Sequence, residues 1–232
     1  MYAHTYEIRY GDYKDEDTVK PSSILDMVQD ISTKHSEHCG YTMRRMVEMN
    51  KAWMLQGLDL RFFKPVSNKL PVTINTAIKD MKGVTSQRCC IIEQSGEVVA
   101  QTVANWFIFD LEKMRPARIP EQMAEEYEFG DFPEPFFDYR KPELREAPVL
   151  YSVHIGNKEI DTNHHLNNQK SSEILMDALP LDFFFTEMRV YFKKAVYHGA
   201  VLQRCATEIE NGWYAHLQTP EGEVCVAASF TK

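Results

Sequence analysis

The feature that most limits what this chain can fold into is an internal repeat. FFKPVSNKLPV at 62–72 aligns without gaps to YFKKAVYHGAV at 191–201, and SGEVVAQTVANW at 95–106 matches EGEVCVAASF at 221–230. The two matches lie at offsets of about 129 and 126 residues, and chance does not keep such spacing, so the 232 residues are expected to hold one structural unit built twice. Residues 121–148 are acidic and carry proline without sustained periodicity, which is how a linker reads. The boundaries expected are thus a first domain at 1–120, a linker at 121–148 and a second domain at 149–232. The linker aromatics Phe132, Phe136, Phe137 and Tyr139 suggest that it lies against the protein.

Both halves run in the same order. PSSILDMVQDISTKHSEHCG sets Ile24, Met27, Val28 and Ile31 at helical spacing, with Ser23 and Asp26 spaced as a capping box and Gly40 as a stop. WMLQGLDLRFF, VTINTAIKDM, SQRCCIIEQ and EVVAQTVANWFIFD then read as strands, with a hairpin turn at residues 95–97. In the second half, a helix from about Asn168 to Ala178 precedes FTEMRVYFKKA, AVLQRCATEIE, WYAHLQT and EVCVAASFT. A helix followed by an antiparallel meander, twice over, is an α+β plan in which each sheet wraps an apolar helix.

Composition narrows the function. A net charge of −8 argues against nucleic acid as the partner, and no apolar run approaches the length of a membrane span, so membrane insertion is not expected. MYAHTYEIRYGDY lacks the features of a secretory signal or a transit peptide, and the location expected is cytoplasmic. Cys39, Cys89, Cys90, Cys205 and Cys225 are an odd set without CxxC spacing, which fits reduced, mostly buried thiols.

One polar cluster stands out, DTNHHLNN at 161–168. His164 and His165 are adjacent and would diverge in strand or helix, so no metal site is expected. Asn167 or Asn168 can cap the following helix, but capping leaves Asp161, Asn163 and His165 unexplained. In an extended segment these alternate residues would share one face, a carboxylate, an amide and an imidazole just ahead of a helix N-terminus. That is a general base with its orienters, aimed at backbone N–H groups near Asn167 and Asn168 that could hold an oxyanion. His164 would point away from His165.

These residues resemble a known family. D-x-N-x-H-[VL]-N-N, as Asp161, Asn163, His165, Leu166, Asn167 and Asn168, is similar to the signature of bacterial acyl-acyl carrier protein (acyl-ACP) thioesterases related to the plant plastid FatA and FatB enzymes. WMLQGLDLRFFKPV and NWFIFDLEKMRPARIP resemble that family's first-domain stretches, so the likeness covers nearly the whole chain. It implies two tandem hotdog domains, each a long helix wrapped by an antiparallel sheet. The activity implied is hydrolysis of the thioester between a fatty acyl chain and the phosphopantetheine of acyl carrier protein, releasing fatty acid and ending elongation. Asp161, Asn163 and His165 match family catalytic positions; which of Asp161 and His165 is the base stays open. The acyl chain would lie beside the first helix, near Met27, Val28 and Ile31. No cofactor is implied.

The sequence departs from the family downstream. Ala195 stands at the family glutamate, Val196 at the plant cysteine and Ala200 at an aspartate, while Ser171 replaces a tyrosine. A covalent cysteine mechanism is hard to sustain, and neither Cys205 nor Cys225 fits one. Because acyl carrier protein is acidic, docking needs a local basic surface, for which Arg189, Lys193, Lys194 and Arg204 are the candidates. The alternatives are a noncatalytic acyl-carrier or lipid-binding protein, a coenzyme A thioesterase, and a hotdog hydratase or dehydratase whose usual motif carries one more residue between Asn and His. Homodimerisation is left open.

Overall fold

The structure, a computed structural model, describes residues 1–132 and 137–232. Phe136 therefore lies outside the described residues. The chain divides into two units, Met1–Gln56 with Leu60–Tyr139, and Gly57–Asp59 with Arg140–Lys232.

The first unit contains β1 (Tyr2–Tyr6), α1 (Pro21–His38), α2 (Met43–Glu48), β2 (Lys51–Phe62), β3 (Val72–Lys82), β4 (Thr85–Gln94), β5 (Glu97–Asp110), the short β6 (Arg115–Pro116) and α3 (Glu121–Glu126); the stretch Gly57–Asp59 of β2 groups with the second unit. Its sheet runs β1-β3-β4-β5-β2. Helix α3 falls where a linker without helical periodicity is expected, and it is held because Met123 and the following Tyr127 are buried with Tyr41, Met46 and Ile78.

Helix α1 begins at Pro21, whose fixed φ suits the first helical position, and Lys20 precedes it without a side-chain cap. The expected Ser23–Asp26 capping box is therefore absent. The helix ends as expected at Gly40, whose φ of 85° lets Tyr41 N–H reach the Ser36 carbonyl at 2.8 Å. Between β4 and β5, Ser95 and Gly96 have φ of 51° and 79°, the left-handed pair that a two-residue hairpin turn requires.

The second unit contains β7 (Val149–His154), α4 (Asn168–Met176), β8 (Glu187–Phe192), β9 (Val201–Ile209), β10 (Gly212–Gln218) and β11 (Val224–Thr231), in the sheet order β7-β9-β10-β11-β8. Each strand has its counterpart at the same place in the first unit. The repeat is also visible atom by atom. Phe63 and Lys64 both donate backbone N–H groups to the Val99 carbonyl, at 2.9 and 3.3 Å; Lys193 and Lys194 do the same to Cys225, at 2.8 and 3.0 Å. Lys64 pairs with Glu97 at 2.7 Å, and Lys194 pairs with Glu223.

The copies differ most in their helices. α1 has 18 residues and α4 has 9, so the first unit alone presents a long apolar helix face. No helix among the described residues is long and apolar enough to cross a membrane.

Candidate active site

In the second unit, the polar cluster forms a tight loop rather than the extended segment expected from its alternation. An isolated bridge between Ile160 and Leu166 closes it, and Asp161 N–H donates to the His165 carbonyl at 2.9 Å. The reversal takes place at His164, whose φ of 63° is left-handed, a conformation that histidine adopts more readily than most residues. His164 is exposed.

The loop gathers the three predicted residues by a different route. Asp161 Oδ1 accepts the backbone N–H of Asn163 at 2.8 Å and lies 3.4 Å from that of His165, so one carboxylate oxygen holds the loop. The other oxygen, Oδ2, has no partner among the described residues. The His165 ring meets Tyr197 edge to face, with centroids 4.8 Å apart. Asn163 is exposed and its side chain has no described partner.

The loop opens onto α4. Asn167 is the cap, its side chain accepting from Gln169 N–H at 2.8 Å and Lys170 N–H at 3.3 Å. Its own N–H donates to the Glu159 carbonyl at 2.8 Å, which removes Asn167 from the expected oxyanion donors. Asn168 N–H has no acceptor among the described residues and stays available at the positive end of the helix. Ser171, where the resemblance leads one to look for tyrosine, is buried and donates its hydroxyl to the Asn168 carbonyl at 2.9 Å.

The first unit carries the same loop without its chemistry. There Tyr13 bridges Val19, Lys14 N–H donates to the Thr18 carbonyl at 2.8 Å, and Val19 N–H donates to Val66 at 2.9 Å, as Leu166 does to Val196 at 2.7 Å. Lys14, Glu16 and Thr18 thus occupy the places of Asp161, Asn163 and His165. Sequence reading missed this pair of loops, because KDEDT and DTNHH share no pattern; only the matching bridges reveal it.

Ala195, where the resemblance leads one to look for glutamate, is exposed and precedes Val196, whose carbonyl is bonded to the loop. Cys205 and Cys225 are buried, and burial pushes both thiols up, away from the thiolate that nucleophilic attack requires. Among the described residues no group of three or more His, Cys, Asp or Glu side chains is placed to hold a metal ion.

The four basic candidates for docking differ in how they are paired and packed. Arg204 is packed inward, its guanidinium 3.3 Å from the Ile174 carbonyl, 3.7 Å from Asp177 and over the Tyr151 ring. Arg189 is paired with Glu187 at 3.0 Å and Asp59 at 3.6 Å. Lys193 and Lys194 are exposed, and Lys194 is paired with Glu223. In the first unit Val28 and Ile31 lie on the buried stripe of α1. Met27 sits at the margin of that stripe, where it lines a polar groove of about 530 Å³ together with Tyr6, Arg9, Asp26 and Asp30.

The model of the acyl-ACP thioesterase N-terminal domain family matches residues 1–127. An acyl-ACP thioesterase from Bacteroides thetaiotaomicron superposes with a TM-score of 0.90 at 14% identity, covering 99% of this chain and 96% of that one. The 12:0-ACP thioesterase from Umbellularia californica gives 0.85 at 13% identity, covering 99% and 96%. No curated protein matches the sequence. At such identities the structural likeness shows the fold, two tandem hotdog units of helix and antiparallel sheet, as the sequence led one to expect.

Proposed function

The chain belongs to the acyl-ACP thioesterase family, a family of thioester hydrolases, and from that premise we propose that it cleaves fatty acyl-acyl carrier protein to release free fatty acid and so ends chain elongation. The observation that carries this reading is the loop of Asp161, Asn163 and His165, closed on the N-terminus of α4 with Asn168 N–H left available.

The chemistry follows from the atoms. The thioester carbonyl oxygen accepts the Asn168 N–H, and the helix end stabilises the negative charge that develops there, an effect of the kind that accelerates acyl transfer by roughly 10²–10³. Asp161, through Oδ2, or the His165 imidazole takes a proton from water as the water oxygen bonds to the acyl carbon. Asn163, exposed beside them, orients the water or the thioester. The carbon–sulfur bond then breaks, and the phosphopantetheine sulfur leaves as a thiol with the proton the base had taken. No cysteine takes part. Lys193 and Lys194 form the basic part of the surface that meets the acidic carrier.

Mass spectrometry of products after incubation with acyl carrier protein loaded with saturated chains tests the reading. Free fatty acid and unacylated carrier are the expected products. A hydroxyacyl carrier, or a stable complex with intact thioester, would overturn it.

A further inference from the structure

A histidine serves a reaction only when its ring is aimed, and in hydrolytic sites a carboxylate bonded to one ring nitrogen commonly fixes the aim of the other. His165 has no such orienter. Among the described residues neither of its ring nitrogens has a hydrogen-bond or ion-pair partner, and Asp161 holds the backbone N–H of the histidine, at 3.4 Å, instead of its ring. The ring's aromatic contact is with Tyr197, centroids 4.8 Å apart and planes at 66°.

Tyr197 is itself firmly placed. It opens a β-turn by accepting the Ala200 N–H at 3.2 Å, with Gly199 in third position at a left-handed φ of 82°. The turn is tied to the fully buried Ile155 in both directions: Gly199 N–H donates to the Ile155 carbonyl at 2.8 Å, and Ile155 N–H donates to the Ala200 carbonyl at 2.9 Å. On the other side, the bond from Leu166 to Val196 joins the neighbour of His165 to the neighbour of Tyr197. The first unit shows that this juxtaposition belongs to the framework. There Val19 bonds to Val66 in the same way, and the adjacent Thr18 and Ser67 face each other across an isolated bridge. Thr18 holds the place of His165 and Ser67 that of Tyr197. The second unit thus sets two rings where the first sets two hydroxyls.

Resting on the proposed function, we propose that Tyr197 is the positioning residue of His165, its ring holding the imidazole in the working orientation that an orienting carboxylate would otherwise impose. Edge-to-face contact sets the electropositive edge of one ring against the electron-rich face of the other, and turning the imidazole about its side-chain bonds breaks that contact. A histidine without such a partner spreads over several rotamers, of which one serves the reaction. Tyr197 touches neither water nor thioester in this role. The inference requires that the orientation of the imidazole matters to the reaction, whether His165 is the base or stands beside Asp161 as its partner.

The test is steady-state hydrolysis of a carrier-bound acyl chain by Tyr197→Ala, Tyr197→Phe, His165→Ala and the double variant Tyr197→Ala with His165→Ala. Tyr197→Ala should lower kcat by about tenfold and leave KM within about twofold, and Tyr197→Phe, which keeps the ring, should recover most of the loss. Because the tyrosine acts through the histidine, the two losses should not add: in the His165→Ala background, removing Tyr197 should change kcat by less than about twofold. A tyrosine that only stabilised its segment would lower the rate alike in both backgrounds. Tyr197 is 60% exposed, so its truncation leaves no cavity in the core; should Tyr197→Ala nonetheless fail to fold, Tyr197→Leu keeps bulk without the aromatic face and is read in its place. A native kcat in the truncated variant, a Phe variant as slow as it, or a full further loss in the His165→Ala background would each overturn the proposal. So would a native rate in His165→Ala, which leaves the hydrolase reading standing. If the native protein releases no fatty acid from any carrier-bound chain, the hydrolase reading fails and this inference with it.

Discussion

Leu166 donates its backbone N–H to the Val196 carbonyl at 2.7 Å, and this bond fastens the Asp161–His165 loop to the segment that carries the exposed Ala195. The first unit makes the equivalent bond from Val19 to Val66, so the fastening is part of the duplicated framework and not specific to catalysis. What the second unit adds is the side chains.

Ala195 is exposed beside that fastening, so a carboxylate placed there displaces no core atoms. Ala195→Glu is expected to raise kcat on acyl carrier protein substrates by about tenfold or more, within the range that a positioned acid or base supplies. Steady-state assay measures it. A kcat equal to that of the native enzyme would mean that the position has no access to the reaction.

His164 turns the loop with a φ of 63°. His164→Gly should keep hydrolysis within about twofold, since glycine takes that conformation without steric cost. His164→Val should lose roughly 1–3 kcal/mol of stability, the usual cost of holding an ill-suited residue there, together with most of the activity. Thermal unfolding and rate assays on both variants check this; equal behaviour would show that the turn does not depend on the left-handed residue.

Of the two lysines on the basic surface, Lys194 is paired with Glu223 and Lys193 has no ion-pair partner among the described residues. Lys193→Glu is expected to raise KM for carrier-bound substrate several-fold at low salt, with the effect shrinking as salt is added. An unchanged KM at low ionic strength would remove Lys193 from the docking surface.

Burial, with Arg88 and His38 nearby, pushes the His35 imidazole down to about 3. The unfolded chain binds a proton near the ordinary histidine value of about 6.5 while the folded chain does not, so acid favours unfolding. Stability should therefore fall as pH drops from about 6.5 towards 3, and His35→Leu should flatten that slope. Urea unfolding at several pH values measures it. Parallel curves for the two proteins would contradict the assignment.

Much of this was legible in the sequence, for identifiable reasons. The strand patterns of β5 and β9 alternate or branch strongly enough to mark themselves, and the repeat at Lys64 and Lys194 survives because it secures the same backbone carbonyl in each unit. β1 and β7 were missed. Both are short edge strands, and in β7 all but one residue is exposed, so no buried face imposes a pattern. The motif residues were readable but the loop was not, because a left-handed His164 leaves no compositional trace. Arg88 and His35 stand 53 residues apart and meet only through the packing of α1 on the sheet.

The central claim is that the Asp161 loop performs hydrolysis without a cysteine or the downstream glutamate, and the rate of fatty acid release from acyl carrier protein by Asp161→Asn tests it most directly. Asparagine keeps an acceptor oxygen for the N–H groups of Asn163 and His165, so the loop should hold while the charge is lost. A folded variant with kcat lowered by roughly 10²-fold or more is the predicted result. A folded variant within about twofold of the native rate would contradict the account.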